Sequence, residues 1–109
     1  MPLYNLAKMT TATEGTGDIT LGSAVSGFIT FSGAGAQDED VVSYGISDGA
    51  NSEVGRGTYI AASGILQRTT ILNSTNSDAA INLSGTAEVF ITVLKEDINP
   101  DMVQIQVFT

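Results

Sequence analysis

The sequence predicts an all-β, single-domain protein, an antiparallel sandwich or barrel-like fold of short strands. Three observations support this. No long window keeps helical spacing without being cut by Gly or by Ser, Thr and Asn clusters. Short runs rich in β-branched, aromatic and aliphatic residues recur along the chain. Between them lie turn signals that β-branched residues resist, such as Gly15-Thr16-Gly17, Gly33-Ala34-Gly35 and Asp48-Gly49.

Candidate strands, in order, cover residues 3–11, 18–21, 28–31, 41–47, 54–61, 66–72, 80–83, 88–94 and 103–108. Ile19 with Leu21, Phe28 with Phe31, Tyr44 with Ile46, and Val89 with Ile91 are expected to point inward, as are Ile105 and Val107. Residues 53–72, EVGRGTYIAASGILQRTTIL, read as a hairpin in which Ala62-Ser63-Gly64 reverses the chain and Gly64 takes φ > 0. The run 88–94, EVFITVL, is apolar on both faces and reads as a central strand covered on each side. Lys95-Glu96-Asp97 then marks a polar stop, and Asn99-Pro100-Asp101 a turn. Residues 1–98 form the β module, and 99–109 an appended C-terminal strand of the same domain. That strand alternates strictly, with Gln104, Gln106 and Phe108 on one side, so it suits pairing with its own sheet or with a neighbour's edge.

Composition narrows the function. At 109 residues the chain has no cysteine and no histidine. Disulfides, thiolate metal sites and the usual general acid/base near neutral pH are therefore absent. Twelve acidic residues against four basic ones give a net charge of −8, the wrong sign for nucleic acid or anionic lipid. The apolar runs fall far short of the roughly 20 residues of a membrane helix. Residues 1–10 lack a basic region followed by an apolar core, so synthesis in the cytosol is expected.

A search for chemistry gives no catalytic, cofactor or metal set. Gly55-x-Gly57 lacks a third glycine and a following helix. Asp38-Glu39-Asp40 reads as a solvated acidic loop and Asp48-Gly49-Ala50-Asn51 as a turn, neither matching a calcium loop. Serine and threonine are plentiful, but no sequence pattern supplies a base to activate one. A non-enzymatic role is expected. Fixed positive charge is scarce, which makes Arg56 and Arg68, with Tyr59 between them, candidates for a protein contact, as are Gln104, Gln106 and Phe108 in the tail. The competing reading pairs the arginines with carboxylates such as Glu53 across exposed strands.

One resemblance covers most of the chain. Leu6-Ala7 with Thr10-Thr11, GTGDITLGSAVSGFITF from Gly15, VGRGTY from Val54, LQRTTIL from Leu66 and INLSGTAEVFIT from Ile81 occur in an order and spacing that resembles a β module of tailed-bacteriophage structural proteins. The resemblance implies a virion structural role without catalytic residues or cofactors. A short, acidic, free-standing copy is similar to a capsid decoration, or cement, protein on the head surface. Its implied partners are the major capsid protein and its own copies, as a homotrimer, with synthesis in the host cytoplasm. The alternative implied by the same module is receptor or glycan binding on a tail or head fibre.

Overall fold

The computed structural model describes residues 6–92. The predicted strand 103–108 and the ends of the runs 3–11 and 88–94 lie outside the described residues. Among the described residues there are eight strands: β1 (Lys8–Thr11), β2 (Glu14–Gly15), β3 (Ile19–Ala24), β4 (Asp40–Asp48), β5 (Asn51–Ile60), β6 (Ile65–Ser74), β7 (Leu83–Ser84) and β8 (Glu88–Ile91). Six of them close a barrel in the order β1-β3-β6-β5-β4-β8, and β2 with β7 makes a separate two-stranded ribbon. Every ladder is antiparallel. The all-β, barrel-like expectation is met.

The two long hairpins follow from their turn residues. β4 and β5 stay in register from Asp40↔Tyr59 to Asp48↔Asn51 and turn at Gly49, whose φ of 62° suits the first central position of a II′ turn. β5 and β6 turn through residues 61–64, and Gly64 takes the positive φ, 66°, expected of it. Register shifts at Val54/Gly55 and Arg56/Thr58 bend this second hairpin, the curvature a small barrel needs in order to close.

Strand alternation aims Val42, Tyr44, Ile46, Tyr59, Leu66, Met9, Val89, Ile91 and Ile19 into one core. Two loops plug the barrel. Phe31 and Ala36 enter beside Tyr59 at one end, with the Phe31 and Tyr59 rings edge-to-face at 5.8 Å. Ile81 and Leu83 close the other.

Three expectations are corrected. Residues 28–31 do not form a strand: Ile29 bridges Ala7 once, and the chain then coils through bonds from Ala34 N–H to Thr30 O and from Ala36 N–H to Phe31 O. This coiling sends Phe31 inward, where its N–H donates to Met9 Sδ at 3.3 Å, and leaves Phe28 39% exposed. Residues 80–83 contribute only Leu83 to a strand, because the preceding residues form the plug. Within the run 88–94, β8 is held between β1 and β4, but its outer face is not covered as expected, since Phe90 is only half-buried there.

Candidate functional site

Sequence places a glutamate at an inward position. On β5 the buried positions are Glu53, Gly55, Gly57 and Tyr59, so the parity that buries Tyr59 also buries Glu53. The two glycines make room for it. A Cβ on Gly55 would stand 2.2 Å from Thr70 O and 3.0 Å from the Tyr44 hydroxyl. In that space the Tyr44 O–H donates to Glu53 Oε2 at 2.6 Å. Glu53 Oε1 accepts from Ile81 N–H at 2.9 Å and from Arg68 Nη1 at 3.1 Å. Arg68 also donates to Ile81 O at 3.0 Å and, through Nη2, to Gly15 O at 3.2 Å. Burial, and then the Glu53 carboxylate, push the Tyr44 hydroxyl far above the ordinary phenol range, which keeps it a neutral donor.

This cluster is a fastener and not a reaction centre. Its acceptors face protein donors, and the Arg68 and Glu53 side chains are only 3% and 0% exposed, so no substrate reaches them. It joins β4, β5 and β6 to the ribbon at Gly15 and to the plug at Ile81. Asp48 does similar work nearby, taking Ser84 N–H at 2.8 Å and the Ser84 hydroxyl at 2.7 Å.

The predicted contact residues therefore separate. Arg68 and Tyr59 are buried, and the structure corrects their assignment as surface contacts: the parity of β6 and β5 turns both inward. Glu53 is Arg68's partner, as the competing reading had it, but inside the barrel and not across exposed strands. Arg56 alternates outward from β5 and is half-buried, opposite Ser43 and Thr70. Gln104, Gln106 and Phe108 lie outside the described residues. The acidic loop is ordered by its own carboxylates, since Asp38 accepts from Ala61 N–H and Asp40 from Gln37 N–H. Among the described residues no cluster of three or more potential metal ligands occurs.

The outer wall is chemically divided. Over β3, β6 and β5 it carries Thr20, Gln67, Thr69, Thr70 and Thr58, with the Thr58 and Thr69 hydroxyls hydrogen-bonded at 3.2 Å. Over β4, β8 and β1 it carries the apolar Val41, Gly45 and Phe90 among the polar and charged Ser47, Glu88, Lys8 and Thr10. Phe90 lies across Gly45, where a Cβ would come within 2.4 Å of its ring, so glycine lets the aromatic lie flat on the strand there. Next in the row, Lys8 Nζ sits 5.9 Å from the Phe90 ring centre and 5.0 Å from that of Phe28. Leu6, Ala7, Lys8, Phe28, Phe90 and Ile91 line a shallow groove.

Lys8, Phe28 and Phe90 are the residues that sequence reasoning missed. The signal for Phe90 was present in the outward parity of a strand whose neighbours Val89 and Ile91 point in. Nothing local brings Phe28 and Lys8 together. Comparison with family models, with curated proteins and with solved structures returns no match.

Proposed function

We propose that this chain is a non-enzymatic virion structural protein, a decoration protein that binds the outside of a tailed-phage head shell and reinforces it. One observation carries the reading. The barrel is filled and plugged, its buried ion pair is bonded to its own loops, and its distinctive chemistry is an apolar groove on the outer wall. A protein of this kind acts through its surface. The resemblance in sequence order to phage structural β modules supplies the setting, and repetition supplies the strength, because many modest contacts on one shell add up.

The test is binding to purified undecorated shells of the host phage. The expected result is stoichiometric co-sedimentation and a higher shell disruption temperature in the protein's presence. Failure to bind shells, with binding to host cells or their glycans instead, would replace the decoration reading with the fibre-module one.

A further inference from the structure

We infer that the outer wall formed by β1 and β8 is a self-association surface, on which a second copy of this chain packs through a two-fold contact. The inference does not depend on the shell reading, and it concerns the isolated protein.

The groove has the composition of a contact patch. Among the described residues the exposed large hydrophobics are Leu6, Phe28, Ile29 and Val41, and the first three gather around the start of β1. Contiguous apolar surface of this kind marks interaction sites in soluble proteins. Two aromatic rings flank the Lys8 ammonium, which gives the patch rigid area at low entropic cost and a cation held in a fixed place.

Charge identifies the occupant. A chain of net charge −8 repels its own copies over most of its surface. Among the described residues no carboxylate lines the groove, and at its edge Glu88 is ion-paired at 3.3 Å with Lys8, which lies on the paired strand and lines the groove. Their side chains remain 40% and 26% exposed, so both can reach a partner. A face that carries one anion and one cation beside apolar rings is complementary to itself. In a two-fold contact residue i meets j while j meets i. Lys8 of each copy can then face Glu88 of the other while the Phe28 and Phe90 rings pack across the axis. The homotrimer implied by the family resemblance would instead use two different surfaces.

Sedimentation equilibrium over a concentration series tests this. The parent chain is expected to reach twice its own mass. Lys8→Glu and Glu88→Lys each place like charges across the axis twice, and each is expected to weaken association by roughly ten- to a hundredfold. Phe28→Ser, on an exposed loop, is expected to weaken it similarly. An equimolar mixture of the Lys8→Glu and Glu88→Lys chains is expected to associate, because each supplies the charge the other lacks. Circular dichroism checks that each variant keeps the β fold, and the Phe28→Ser chain decides the matter if a charge variant does not fold. A parent chain that stays monomeric at the highest concentrations, a mass three times that of the chain, or a mixture no tighter than its components would overturn the inference.

Discussion

Glu53 and Arg68 meet at 3.1 Å inside the barrel, and through them a single ion pair holds two adjacent strands, the plug at Ile81 and the ribbon at Gly15. Charges taken from water regain their solvation cost only when geometry and additional hydrogen bonds are good. Here the carboxylate has three donors and the guanidinium three acceptor contacts. The pair therefore specifies which loops close the barrel more than it adds net stability.

Removing one partner should show this. Glu53→Ala leaves a cation buried without its anion, and Arg68→Ala the converse, and each is expected to cost about 3–5 kcal/mol in urea unfolding. Replacing both, as Glu53→Gln with Arg68→Met, is expected to recover much of that loss, because no uncompensated charge remains. A double variant no more stable than the worse single one would mean that the hydrogen bonds, and not the charges, dominate.

Alkali should act on the same cluster through Tyr44. The folded protein raises this phenol above its ordinary value of 10.0, so the native state holds its proton more tightly than the unfolded chain does. The resulting stability is fully present below about pH 10 and is lost as pH rises above it. Subtracting the 295 nm titration of Tyr44→Phe from that of the parent isolates this residue. Its absorbance is expected to appear only well above pH 10, together with loss of the β circular dichroism signal. Normal ionisation near pH 10 with the fold intact would contradict the buried hydrogen bond to Glu53.

Much of the barrel was legible because the chain punctuates itself. Gly49 and Gly64 sit where positive φ is required, and they fix both long hairpins and their register. Other parts are not local. β2 and β7 are only two residues long and exist because Asp48 holds Ser84 from 36 positions away. Phe28 belongs to an apolar run that looks like a strand, yet the turn at residues 30–36 follows from what fits the barrel's mouth. The Glu53–Arg68 pairing was readable, but its burial depends on parity along β5, where two glycines conceal the alternation. Closure itself, which places Lys8 beside Phe90, depends on β8 finding β1.

Those glycines give a graded prediction. Gly55→Ala drives a Cβ toward the Thr70 carbonyl, a backbone atom with little freedom, whereas Gly45→Ala meets the half-exposed Phe90 ring, which can swing outward. Overpacking typically costs about 1–3 kcal/mol and more where the backbone must move. Gly55→Ala is expected at or above the top of that range, with the Tyr44–Glu53 bond displaced, and Gly45→Ala near the bottom. Thermal melts of the two variants check the order. A Gly45→Ala chain as unstable as Gly55→Ala would mean that Phe90 is fixed as firmly as the backbone.

Asp48 provides a test of local rather than global stability. Its carboxylate is buried and takes both the amide and the hydroxyl of Ser84, which anchors β7 and with it the pairing of Leu83 to Gly15. Asp48→Ala removes the acceptor and leaves two donors to find water, a loss of about 1–3 kcal/mol. The ribbon has only two residue pairs of its own, so the loss should fall there first, as opening of β2 and β7 while the β4–β5 ladder stays closed. Hydrogen exchange followed by NMR should show faster exchange at Ser84 and unchanged protection at Val42 and Tyr44. Equal acceleration at all three amides would mean that the ribbon and the barrel open together and that Asp48 contributes to the global fold.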